Sequence, residues 1–109
     1  MATIDELGTK VLQKLGVVAA DEAPEPSDLA KAVEKVKAAH YAFGVQELAP
    51  FTLSDIPTYA EEPYVQMGAF LAAYDFEKQP DASWAALSTT ELQRAANLKT
   101  SGIVPAEYF

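Results

Sequence analysis

The chain has 109 residues, half of them hydrophobic and 22% charged, with no cysteine, one histidine and a formal net charge of −8. That length fits a single domain with one core, and the composition is globular rather than disordered. It excludes a disulfide framework, cysteine-ligated zinc, a thiol nucleophile and a two-histidine metal site, and the acidity argues against a nucleic-acid surface, which needs clustered Lys and Arg.

The acidic excess lies in the middle of the chain, where residues 45–83 hold seven acids against one lysine. This reads as a solvated surface, or as one that faces a basic partner or repels DNA. No apolar run approaches the roughly 20 residues that a membrane-spanning helix needs. Met1 to Glu6 carry neither the basic stretch nor the apolar segment of a signal peptide. The expectation is a chain used whole and made in the cytosol.

The first helix is signalled by Thr3 as cap and Glu6 three residues on, with Ile4, Leu7, Val11, Leu12 and Leu15 on one face. Gly16 is suited to end it. Gly8 weakens a helix by about 1 kcal/mol relative to alanine, which points to a close neighbour there. Residues 17–26 form a loop whose Val17 and Val18 dock on the core while Asp21, Glu22, Pro24, Glu25 and Pro26 stay wet. A second helix starts near Ser27 or Asp28, either of which can cap. Its apolar stripe is Leu29, Val33, Val36, His40 and Phe43, and Gly44 terminates it. Lys31, Glu34, Lys35 and Lys37 fall on its solvated side.

Residues 45–62 are the least regular part, with Val45, Leu48, Phe51, Leu53, Ile56 and Tyr59 interrupted by Pro50 and Pro57. A loop of this length in a small domain is often functional. Phe51-Thr52-Leu53 suits a short extended piece. The third helix begins around Glu61, Glu62 and Pro63, with acids at the positive end of the helix dipole, and runs to about Lys78. Tyr64, Val65, Met67, Phe70, Leu71, Tyr74 and Phe76 cover most of its circumference, so it is the central helix. Gly68, Ala69, Ala72 and Ala73 form a strip for close approach. The fourth helical region starts after Asp81 or Ser83, with Trp84, Leu87, Leu92, Ala95 and Leu98 on one face. A continuous helix puts Glu91 in the middle of that face, and Ser88 to Glu91 is itself a capping-box pattern, which allows a break there. Gly102 ends the region. The expected fold is all-α: a four-helix bundle over residues 1–100, a long loop between helices two and three, and an extended C-terminal tail, residues 101–109.

Catalytic chemistry finds no support in these residues. No nucleophile-elbow pattern surrounds any serine, and His40 lies in an apolar stripe, as a core-edge histidine with one satisfied nitrogen does. The pairs Asp21/Glu22 and Glu61/Glu62 lack the alternating spacing of a calcium loop, and adjacent side chains diverge. Five scattered glycines make no phosphate-cradling loop. Leu53-Ser54-Asp55 reverses the Asp-Ser-Leu order of an acyl-carrier attachment site. The expectation is a protein that is not an enzyme and uses no metal or cofactor.

Two features suggest assembly. One is the apolar loop, with Phe51, Leu53, Ile56 and Tyr59 as a candidate interface. The other is the tail Ile103-Val104-Pro105-Ala106-Glu107-Tyr108-Phe109, aromatic where termini are usually polar. That tail either folds back on its own bundle or inserts its aromatics between subunits of a partner.

The order of these elements resembles a known family. A first helix ends in Lys14-Leu15-Gly16-Val17 and an acidic, proline-containing loop follows. A second carries Leu29, Val33 and Val36 and ends in an aromatic and Gly44. Then come Leu53, Asp55-Ile56-Pro57, and Glu62-Pro63-Tyr64 opening an alanine-rich helix that closes at Tyr74-Asp75-Phe76. Over about residues 4–100 this is similar to the head-to-tail connector (adaptor) proteins of tailed bacteriophages, also called tail accessory or packaged-DNA stabilisation factors. The resemblance implies a four-helix structural virion protein made in the host cytoplasm and placed in the head–tail neck. It would join neighbouring copies in a twelve-fold ring beneath the portal protein, meet a downstream tail or tail-terminator protein, and help retain packaged DNA. DNA would be passing cargo in the lumen, with no membrane involved. The C-terminal residues Ile103, Val104, Pro105, Tyr108 and Phe109 would then contact the portal. The chain is short for the group and lacks the long C-terminal extension of some members. The alternative is a small acidic interaction module, of inhibitor or antitoxin type, that binds a basic partner.

Overall fold

The computed structural model describes residues 3–19 and 21–101. Among them the chain is all-helical, with four α-helices, two short 3₁₀ turns and no strand. Helix α1 spans Ile4–Leu15, α2 Pro26–Val45, α3 Thr58–Ala72 and α4 Ala82–Ser101.

The start of α1 follows the capping box read from the sequence. The Glu6 amide donates to Thr3 Oγ1 at 3.2 Å, and the Thr3 amide donates to Glu6 Oε1 at 2.8 Å. Gly16 ends the helix in the left-handed region, at φ 78°, and the Val17 amide reaches back to the Leu12 carbonyl.

The same closure recurs twice without glycine. Helix α2 runs through Gly44 to Val45, and the chain reverses at Glu47, φ 60°. Gly44 therefore does not terminate it. The Glu47 amide donates to the Gly44 carbonyl and the Leu48 amide to the Phe43 carbonyl, both at 2.9 Å. This turn carries Leu48 back into the core, beside the end of a helix whose Phe43 is already buried there. Glu77, at φ 56°, ends the 3₁₀ turn Ala73–Phe76 in the same way, two residues short of Lys78.

The starts of α2 and α3 also differ from the sequence reading. Helix α2 begins at Pro26, and neither Ser27 nor Asp28 caps it; Pro26 has no amide hydrogen to leave unpaired at that position. Helix α3 begins at Thr58, three residues before Glu61, so Pro63 lies inside the helix rather than in its first turn. Ile56 and Ala60, both fully buried, hold this earlier turn against the core. Phe51-Thr52-Leu53 forms no strand, and Leu53–Asp55 is a 3₁₀ turn.

Helix α4 is continuous, with no break at Ser88. Asp81 caps its start, accepting from the Ser83 amide at 3.0 Å and the Ser83 hydroxyl at 2.6 Å. Its inward face is Trp84, Ser88, Leu92 and Ala95 rather than a face containing Leu87, and Glu91 is exposed. Ser88 tolerates full burial because its hydroxyl donates to the Ala85 carbonyl at 2.9 Å. The side chain of Leu98 lies outside the described residues.

Helices α1, α2 and α3 pack against one another, and α4 lies along α3. Glycine permits two of these approaches. A methyl group on Gly8 would stand 3.0 Å from Val33 Cγ2, and one on Gly68 would stand 2.9 Å from Val11 Cγ2. Helix α2 runs antiparallel to α3: Lys31 lies over the Phe76 ring, Lys35 pairs with Asp75, Val36 faces Gly68 and His40 meets Tyr64. The core face of α2 is Ala32, Val36, Ala39 and Phe43, while Leu29, Val33 and His40 border it. Helix α3 is the central element, with Tyr64 fully buried. No helix among the described residues is long and apolar enough to cross a membrane.

Candidate functional site

The loop between α2 and α3 is held down by an aromatic cluster. Phe51 lies 6.1 Å from His40, 5.8 Å from Tyr64 and 6.3 Å from Tyr59, centroid to centroid, and Phe43 packs 5.2 Å from Tyr64. The hydroxyl of Tyr64 and Nδ1 of His40 share a 2.6 Å hydrogen bond. Burial, aided by the nearby Tyr59, holds the Tyr64 hydroxyl protonated well above the ordinary phenol range. His40 thus stands at the core edge with one nitrogen satisfied, as its place in the apolar stripe suggested.

This cluster divides the four candidate interface residues of the loop. Ile56 is fully buried in its own core. Phe51, Leu53 and Tyr59 are half-buried, packed on the bundle by one side and open on the other. The five candidate residues of the tail, Ile103, Val104, Pro105, Tyr108 and Phe109, lie outside the described residues.

Three acids of the middle segment turn toward basic residues of their own bundle. Glu61 pairs with Lys10 at 3.8 Å, Glu62 with Lys14 at 3.6 Å and Asp75 with Lys35 at 3.5 Å. Such partly exposed pairs link α1 and α2 to α3 and its 3₁₀ extension and add little stability. Lys14 also stands 5.4 Å from the Trp84 ring centroid, which ties the start of α4 to α1. A shallow depression between these helices is lined by Lys10, Gln13, Lys14, Glu62 and Val65. Lys14 and Glu62 pair within it and Lys10 pairs with Glu61 beside it, and among the described residues no His, Asp and Glu side chains converge as a metal site.

The more informative surface is on the outside of α2. Tyr41 is 75% exposed and Val45 68% exposed, one turn apart. They continue a second apolar spacing, Ala30, Ala38, Tyr41 and Val45, on the side of α2 opposite its core face. Reading the helix for one stripe missed this second one; its signal was the i, i+4 pair of large apolar residues off the core face. Tyr74, 76% exposed, and Leu87, 48% exposed, were assigned from periodicity to buried faces and instead meet solvent. Single exposed apolar residues are ordinary, whereas neighbouring ones such as Tyr41 and Val45 form the kind of patch that other proteins cover.

Comparison with known proteins finds no matching family model, no similar curated protein and no similar solved structure.

Proposed function

We propose that this chain is a structural adaptor of the head-to-tail connector type: a helical subunit that joins copies of itself in a ring, seats on a portal protein and presents a docking surface to the next tail component. The observation that carries this reading is the outer face of α2. Tyr41 and Val45 sit on a helix whose other side is already used by the core, so their exposure is not explained by the fold of one chain. The element order that resembles the connector family supports the same reading. The tail from Ile103 to Phe109, with its terminal aromatic pair, then serves as the portal contact, and the half-buried Phe51, Leu53 and Tyr59 as a second contact.

The acids Glu61, Glu62 and Asp75 bear on the lumen. With a basic partner on each, these groups present less repulsion to DNA than their number suggests. A non-adhesive lumen is better served by Glu47, Asp55 and Glu77, which make no ion pair among the described residues.

Negative-stain imaging of the purified chain, alone and mixed with the portal protein encoded beside it, tests the reading. A ring that caps the portal is the expected result. Monomers that ignore the portal at high micromolar concentration would overturn it, and a one-to-one complex with a basic protein would favour an inhibitor-type module.

A further inference from the structure

The outer face of α2 and an exposed flank of α4 match each other in sequence spacing and charge. On α2, Glu34, Lys37 and Tyr41 are exposed at intervals of three and four residues. On α4, Leu87, Glu91 and Arg94 are exposed at intervals of four and three. Placed antiparallel, the two stripes bring Glu34 to Arg94, Lys37 to Glu91 and Tyr41 to Leu87 in one register. None of the four charged groups forms an ion pair among the described residues. Both large apolar residues are conspicuously exposed, at 75% and 48%.

We propose that the outer face of α2 on one copy of this chain docks against the exposed flank of α4 on the next. The occupant is a second copy because the complementary stripe is present on the same chain. It is a different copy because both stripes are exposed, the one on α4 lying beside the Trp84, Ser88 and Leu92 face that turns inward. Two different patches in contact make a head-to-tail interface, which propagates to a closed ring or an open filament. Opposite charges at the rim set register and partner choice, and Tyr41 packed on Leu87 forms the apolar centre. Val45 extends that centre by one turn. The closed ring, though not the contact itself, rests on the connector reading.

The chain has no cysteine, so an introduced pair reports on this contact alone. Oxidising the double variant Tyr41→Cys/Leu87→Cys at concentrations that populate the assembly is expected to give a covalent ladder of dimers, trimers and higher species. Either single variant is expected to give none. A dimer from Tyr41→Cys alone, or no ladder from the pair, would overturn the α2–α4 contact. Charge reversal supplies an independent readout by sedimentation velocity. Lys37→Glu and Glu91→Lys are each expected to weaken self-association about tenfold, by setting like charges opposite one another. An equimolar mixture of the two is expected to restore it, because each compatible pair then forms between unlike copies. Rescue by mixing has no counterpart in a purely structural role, and its failure counts against the proposal. Rings on the portal without the ladder would overturn this contact and leave the connector reading standing. A ladder from protein that never binds portal would do the reverse.

Discussion

The packing of α1, α2 and α3 and the docking of α4 on α3 are made of different materials. The first is a dense apolar contact in which Leu7, Val11, Leu12, Val36, Phe43 and Tyr64 are fully buried and Gly8 and Gly68 let the backbones close in. Among the described residues, the second rests on one fully buried large apolar residue of α4, Leu92, together with half-buried Trp84 and a buried hydroxyl, Ser88. On α3, Gln66 falls roughly opposite Gly68 in helical projection, and its buried Oε1 has no hydrogen-bond partner among the described residues. The contrast teaches where stability and adaptability reside. It predicts that α4 opens more readily than the three-helix core does.

The largest expected effect follows from emptying the rigid part. Phe43→Ala should cost about 3–5 kcal/mol and lower the midpoint of global denaturant unfolding. Leu92→Ala should cost about 2–3 kcal/mol. Its mark should be local: amide exchange in α4 accelerates while α1 and α2 stay protected. If both substitutions lower protection uniformly, the two regions are one cooperative unit and the comparison fails.

Adding volume tests the same division from the other side. Gly68→Ala pushes a methyl to 2.9 Å from the stiff Val11 side chain, and should destabilise by about 1–3 kcal/mol, read as a shift in thermal midpoint. Removing the unpaired oxygen adds a further test: Gln66→Leu should stabilise the chain by about 1 kcal/mol. Destabilisation instead would show that the amide has a partner in solution.

Smaller still are the left-handed caps, where Glu77→Gly should raise stability by about 0.5–1 kcal/mol. The smallest effect concerns Asp81. Hydrogen bonds from the Ser83 hydroxyl and amide hold its carboxyl below the usual range, with Lys14 adding to them. Its contribution to the start of α4 is therefore present above the ordinary aspartate range and fades as pH falls through the depressed value. Asp81→Asn should flatten that acid dependence in α4 exchange while leaving the other helices unchanged.

Much of the architecture was legible in the residues. Thr3, Glu6 and Gly16 bracket α1 by local hydrogen bonding alone, and the structure bears them out. The all-helical class, the central position of α3, the role of Gly8 and the core-edge place of His40 follow from spacing and composition, because each depends on which residues share a helix face. The candidate site was less legible. The loop aromatics were named, but Ile56 turned inward, and the outer stripe of α2 escaped notice behind the stronger core stripe.

What the sequence by itself determined were the features that near neighbours along the chain control: caps, periodicity, the small residues of close approach, and the absence of cysteine chemistry. Only the tertiary structure decided where helices stop and which way faces turn. Gly44 was the better local stop, yet α2 runs on to Val45 and the chain reverses at Glu47, which returns Leu48 to the core. Helix α4 turned Ser88 inward and Leu87 outward, because a small hydroxyl that bonds its own helix can sit against α3. In both places burial summed over several side chains outweighed a local preference of about 1 kcal/mol. That sum exists only once the helices have met.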